Sequence, residues 1–393
     1  MALTSGGLPP KDLGDLLRQA RENAKITQAA AAVALNVART TLVAIEQGQR
    51  RPRVDEIQKL AALYGLSLNE LLRQDTVRVD LRPRFRKAGE HNEKVEAAIE
   101  LLNGLVQAEV EFEDLLGIQR ARLDPPERPL LPGNVVLQAE QDAAELRQWL
   151  GLGLAPVRDI VSLLELQLSA RVYVRMLDPK ISGLYAFDER AGACILLNAA
   201  HPRDRRTQTG AHELGHFIST RLAPDTLHDG PLESSRGERY AITFARCFLT
   251  PGRAVNVRFQ ELTAGASKLT RRHVILLAHV FGVSREAMVR RLEELGLTKL
   301  GTWDWFVQQG GITDAQVLEV LGDLIPPDDA KVDARRLISM RMGVMASEAW
   351  RRSLLSEGQI ARLLHIDRVD ARTLIDEFEA EGVETNGSRS FSA

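Results

Sequence analysis

The sequence predicts a mainly α-helical chain with one small β-sheet, an α+β arrangement in several folded parts. Three observations predict it. Apolar residues recur three and four apart through most of the 393 residues, the period of a helix with one buried face. Short runs rich in Val, Ile, Leu and Tyr, the mark of strands, are confined to residues 170–199. The length also exceeds what one ordinary hydrophobic core holds, so several domains are expected. The divisions read as 11–75, a five-helix domain; 76–132, an extended stretch and a long helix; 133–305, a mixed α/β domain; and 306–385, a helical module.

Composition narrows the class. With 44% apolar and 26% charged residues the chain reads as globular, and no apolar run is long enough to span a bilayer, so no membrane partner is expected. The start, "MALTSGGLPPKDLG", lacks the basic and apolar regions of a signal peptide. Cys194 and Cys247, each in an apolar stretch and neither in a CxxC pair, read as buried small hydrophobes rather than a disulfide framework. The expected location is cytoplasmic. Residues 11–90 carry 15 Lys and Arg against 10 Asp and Glu, although the whole chain is at −2. A basic start on an acidic body points to a local nucleic-acid contact.

In chain order, "DLGDLLRQARENAK" sets Leu13, Leu16, Leu17 and Ala20 on one helical face. Thr27 is placed to cap "QAAAAVAL", which ends at Asn36, and "ARTTLVAIEQG" closes at Gly48. About three residues separate these two helices, the turn length of a helix-turn-helix. "RVDEIQKLAALYG" and "SLNELLRQ" complete the five. "TVRVDLRPRFRKAG" reads as a strand or an extended linker. The helix "NEKVEAAIELLNGLVQAEVEFEDLLG" has an apolar stripe (Val95, Ile99, Leu102, Leu105, Val106, Val110) that needs either a partner copy or its own core.

"LDPPERPLLPGN" breaks the chain. Helices follow in "AEQDAAELRQWLG" and "APVRDIVSLLELQL", strands in "ARVYVRML", "GLYAFDE" and "ACILLNA", and helices near 204–220 and 236–249. Two more helices lie in "SKLTRRHVILLAHVFGVSREAMVRRLEELGL". The tail stretch "SEGQIARLLHIDRVDARTLIDEF" has the rhythm of a further small helical module, a second helix-turn-helix or an interaction surface.

The chemistry gathers in "TGAHELGHFIST". Histidines at i and i+4 share one helix face, so His212 and His216 can reach one ion. Glu213 projects to the side, where its carboxylate can take a proton from a water attacking a peptide carbonyl. Gly215 is expected to leave room beside the metal, and "ACILLN" to serve as the substrate-binding edge strand. A catalytic site needs a third protein ligand and one open position. Glu238, opening a helix whose Ala241, Phe244, Ala245 and Phe248 pack inward, is the first choice. Glu233 is the second and His228 a further candidate; His273 and His279 read as core or surface residues.

"YAFDERAGACILLNAAHPRDRRTQTGAHELGHFIST" followed by "GERYAITFARCFLTP" resembles the ImmA/IrrE-type metallopeptidases over roughly residues 140–300. The resemblance implies a zincin-like site with His212, His216 and Glu238 as ligands and Glu213 as general base. It also implies a role in cleaving or otherwise inactivating a repressor, under stress or in mobile-element and phage induction. Zinc is the expected ion, and the same donors accept manganese. Ile242 departs from the pattern: the family has Asn or Asp there, expected to orient a metal ligand.

"ITQAAAAVALNVARTTLVAIEQGQRRP" resembles the helix-turn-helix of XRE/Cro/C1 repressors, with Ala30 to Ala32 at a tight helix crossing. By that match Arg39, Thr40 and Thr41 face bases, Gln28 contacts a phosphate, and Arg50, Arg51 and Arg53 follow the backbone. Such modules dimerise on two half-sites, so a homodimer on a double-stranded operator is expected, with the 92–117 helix as a candidate dimer element. Two functions follow: a DNA-binding regulator whose zinc peptidase cuts a partner repressor or itself on induction, or a non-proteolytic transcription factor whose peptidase-like domain senses a ligand, metal or partner.

Overall fold

The computed structural model describes residues 10–65, 79–81, 92–223, 225–228, 235–325 and 337–380. They fall into two compact units, Met1–Arg78 and Val79–Ala393. The architecture is the expected one, mainly helical with one small sheet.

The first unit holds α1 (Pro10–Asn23), α2 (Gln28–Leu35), α3 (Arg39–Glu46) and α4 (Val54–Tyr64). The expected fifth helix, "SLNELLRQ", lies outside the described residues. Thr27 caps α2 by accepting from the Ala30 N–H at 3.2 Å. Asn36 ends that helix in the left-handed region (φ 55°), where Asn is tolerated better than most residues. Leu13, Leu17, Ala31, Leu35, Leu42 and Ile45 form the core. Ala31 and Ala32 are buried at the helix crossing, but Ala30 is exposed, so only two of the three expected alanines serve it. At Gly14 a methyl would stand 2.6 Å from the Ile45 carbonyl oxygen, so glycine lets α1 and α3 touch.

The second unit starts with α5 (Glu93–Leu116), α6 (Val135–Trp149) and α7 (Ile160–Ser162). The helix expected over 155–168 is only this short turn, continued as a π-helical turn over Leu163–Gln167. Then come β1 (Arg171–Arg175), β2 (Ile181–Asp188), β3 (Gly192–Asn198), α8 (Arg203–Ser219), β4 (Asp225–His228) and α9 (Arg236–Leu249). The sheet order is β1-β3-β2-β4, with β1 parallel to β3 and the other pairs antiparallel. So β3 is an inner strand and cannot be the edge strand expected of "ACILLN"; β4 is the edge beside β2.

Both faces of the sheet are covered, which is why its strands read as nearly continuous apolar runs. Tyr185, Phe187, Ile195 and Leu197 alternate toward a core shared with α6, α8 and α9. Leu184, Ala186, Cys194 and Leu196 face a second core, built with α5 and the C-terminal helices. Following α10 (Gly252–Leu262), α11 (Arg271–Phe281), α12 (Arg285–Glu294), α13 (Thr302–Gln308) and α14 (Asp314–Leu321), these C-terminal helices are α15 (Met340–Arg351), α16 (Glu357–Leu364) and α17 (Arg368–Ala380).

The stripe of α5 is therefore filled from within the chain. Val95, Ile99, Leu102, Leu105, Val106 and Val110 are all buried, so this face is not left for a second copy. Polar rivets join the same layers. Arg171 of β1 holds the Glu113 carboxylate at 3.1 and 2.7 Å, and Arg341 of α15 reaches the same group at 2.6 Å. Burial pushes the Glu113 carboxyl up, but the bonds from Arg171 and Arg341 outweigh it and leave it below its ordinary value. Cys194 and Cys247 are free and buried. No single helix among the described residues is long and apolar enough to cross a membrane.

Candidate functional site

Helix α8 runs through the middle of its core, so almost its whole circumference from Thr209 to Ile218 is buried. One side meets β2 and β3, the other α9. Gly215 belongs to the second contact. A methyl there would lie 3.0 Å from Ala241 Cα and 3.3 Å from the Phe244 ring. Its absence lets α8 and α9 approach; the glycine makes room for a helix, not for a metal as the sequence suggested.

That approach brings the start of α9 to the histidines. Ser235 caps α9, accepting from the Glu238 N–H at 3.1 Å, and Tyr240 donates to Asp142 of α6 at 2.8 Å. Burial and this bond push the Tyr240 phenol far up, keeping it a neutral donor. At the other end of α9, buried Arg147 of α6 donates to the Phe248 carbonyl at 2.6 Å. Glu238 is thus delivered by a helix anchored at both ends.

The result is a compact donor set. His212 Nε2 and His216 Nε2 are 3.1 Å apart. Glu238 places Oε2 3.4 Å from His212 Nε2 and Oε1 3.2 Å from His216 Nε2. Four ligands at about 2.0–2.1 Å around a tetrahedral zinc stand roughly 3.3–3.4 Å apart, so the separations suit one such ion. Three donors, two imidazoles and a carboxylate, also match the ligand types of catalytic zinc.

Glu213 lies beside this set and is fully buried. It rests against Gly183 of β2, where a methyl would come 3.2 Å from Glu213 Oε1 and 2.7 Å from Thr209 Cγ2. Sequence reasoning missed Gly183, and it missed Thr220, whose Oγ1 is 2.9 Å from His216 Nδ1. A hydroxyl four residues after the second histidine was a readable signal. Ile242 is half-buried. Glu233 and the His228 side chain lie outside the described residues. His273 accepts from the Thr270 N–H at the start of α11. His279, on the same helix, has its pKa lowered by burial and by Arg158.

In the first unit Arg39 and Thr40 are exposed at the start of α3 and Thr41 is half-buried. Gln28 is not left free for a phosphate alone: its Nε2 donates to Glu46 at 2.9 Å and its Oε1 accepts from Arg39 at 3.4 Å. Glu46 is itself held by buried Arg21 at 2.6 Å. A polar relay thus runs from the core to the first residue of α3. Arg50 pairs with Glu56 at 2.9 Å, whereas Arg51 and Arg53 are exposed.

Two stretches of the chain match known domain families. Residues 12–74 match the helix-turn-helix domain family, and residues 167–293 match the IrrE N-terminal-like domain of the peptidase M78 group. The chain therefore joins an XRE-like helix-turn-helix domain to an ImmA/IrrE-like domain. Over 65 residues it is 40% identical to the HTH-type transcriptional regulator ImmR of Bacillus subtilis (strain 168), a stretch amounting to 16% of this chain and 51% of that protein. The match thus spans about half the length of this relative. Among solved structures, ComR from Streptococcus suis is 12% identical, with 96% of each chain aligned and a TM-score of 0.16. ComR from S. thermophilus is 11% identical, covering 95% of this chain and 99% of that one, again with a TM-score of 0.16. Overlays this loose carry no structural argument.

Proposed function

We propose that this chain is a DNA-binding transcriptional regulator with a divalent-metal peptidase domain, which cuts a partner repressor or itself on induction. The convergence of His212, His216 and Glu238, with ligand atoms all within 4.8 Å of one another, carries the reading. These three hold the ion, zinc or alternatively manganese. Such an ion would supply Lewis acidity toward a scissile carbonyl and toward water. Glu213 would serve as the base that takes a proton from the attacking water and returns it to the leaving amine.

In the first domain Arg39, Thr40 and Thr41 read base edges, while Arg51 and Arg53 follow phosphates, with Gln28 and Arg50 beside them. The protein works as a homodimer on a two-half-site operator, in the cytoplasm. The division into 11–75, 76–132, 133–305 and 306–385 is the accompanying proposal for its segments, of which the last three, from Val79 on, belong to one compact unit.

One observation favours a second reading. Glu213, His212 and His216 are at most 5% exposed, so a polypeptide reaches them only if the site opens. A domain that senses a metal, ligand or partner without cutting needs no such opening. Metal analysis of the purified chain, with incubation against candidate repressors, separates the two. In the peptidase reading Glu213→Gln keeps its metal and stops cleavage. If the wild type cuts nothing while its DNA affinity responds to metal or ligand, the sensor reading holds.

A further inference from the structure

We infer that Thr220 is a positioning residue for His216, setting the tautomer and rotation of the imidazole so that Nε2 presents its lone pair to the metal; this rests on the metal centre proposed above. The helix end dictates where the hydroxyl goes. Thr220 leaves α8 at φ −130° and ψ 43°, and its own N–H donates to the His216 carbonyl at 2.9 Å. The same residue then brings Oγ1 to 2.9 Å from His216 Nδ1. Main chain and side chain are thus both tied to His216, and a β-branched side chain has little rotamer freedom to lose.

A neutral imidazole has one N–H and one lone pair. With Nδ1–H donating to Thr220 Oγ1, the lone pair is left on Nε2, the atom 3.2 Å from Glu238 Oε1. His216 is 5% exposed, so bulk water is poorly placed to do the same. The arrangement also bears on Ile242. The Ile242 hydrocarbon on α9 has no hydrogen bond to offer a ligand, whereas the Thr220 hydroxyl lies 2.9 Å from His216 Nδ1.

The test uses the full chain with Thr220→Val, which keeps the branch and the main-chain bond but removes the hydroxyl, and Thr220→Ser, which keeps it. Zinc affinity is measured by chelator competition, and the cobalt-loaded protein is followed by its visible absorption. Thr220→Val is expected to bind zinc about 10- to 100-fold more weakly, with a changed cobalt spectrum. Thr220→Ser restores both, and neither variant changes the melting of the metal-free protein. Wild-type affinity in Thr220→Val, or equal losses in both variants, overturns the inference. If the wild type itself takes up no zinc or cobalt, the metal centre falls and this role with it. If zinc binding shifts as expected while no repressor is cut, the role stands and only the peptidase reading is lost.

Discussion

Helices α1–α3 and α15–α17 follow the same cap-and-turn pattern with different chemistry. Each middle helix has eight residues and is capped by a hydroxyl, Thr27 in one and Ser356 in the other. Each ends in a left-handed residue that is not glycine, Asn36 at φ 55° and His365 at φ 53°. Arg39 and Arg368 then open the third helix at the same spacing. Leu13, Ala31, Ala32, Leu35 and Ile45 are buried in the first set, and Met342, Ile360, Ala361, Leu364 and Leu374 occupy the corresponding places in the second. The polar layer is not kept. Where the first set has the buried Arg21–Glu46 pair, the second has Trp350 and Ile375. Glu357 stands in place of Gln28 and lies 3.4 Å from Arg368. Beyond the third helix of the first set come Arg50, Arg51 and Arg53, whereas the second carries Asp376 and Glu377 on its last turns. Caps and small apolar residues specify the three-helix form, and the charged layer laid over it differs between the two sets.

The comparison can be broken at several points. The largest effect is expected from Glu46→Ala, which strands the buried Arg21 guanidinium and should cost the first unit about 3–5 kcal/mol in urea unfolding of the full chain. Replacing Arg21 and Glu46 together by apolar residues, as in α15–α17, should recover most of that loss. If Glu46→Ala unfolds like the wild type, the pair is not a structural element. Next, Arg39→Ala should cost about 1–3 kcal/mol of discrimination at one base pair in a substitution series of duplexes. Arg368→Ala should leave the same series unchanged; equal losses would mean that both modules read DNA. The smallest effect is the caps: Thr27→Ala and Ser356→Ala should each cost about 1 kcal/mol, measured by hydrogen exchange of α2 and α16. Clearly unequal values would show that the shared cap does not do the same work in both places.

Much of this was legible because it is local. The spacing of His212 and His216 and the inward-facing pattern that opens at Glu238 are properties of single helices. So are the bounds of α2, α8 and α9. What stayed hidden depends on distant partners. "DTLH" has no alternating apolar pattern and becomes β4 by pairing with β2. "GRAVNVRFQEL" forms α10 with only Ala254 and Val255 fully buried, too thin a stripe to stand out. The stripe on α5 was plain, but what covers it was not, because its cover comes from β-strands and from helices more than two hundred residues later. Gly215 and Gly183 show the same limit: a missing side chain declares no partner until the neighbouring helix or carboxylate is in place.

The rivets between α5 and α15 bear on how this protein can be divided. The stretch that matches the IrrE N-terminal-like domain stops at residue 293, yet the far side of its sheet is roofed by residues 93–116 and 340–375. A fragment trimmed to the matched borders would bare Tyr173, Ile181, Leu184, Ala186, Cys194 and Leu196 to solvent and leave Arg171 without Glu109 and Glu113. A piece that keeps this wall covered carries residues 93–116 and 340–375 along with the matched stretch.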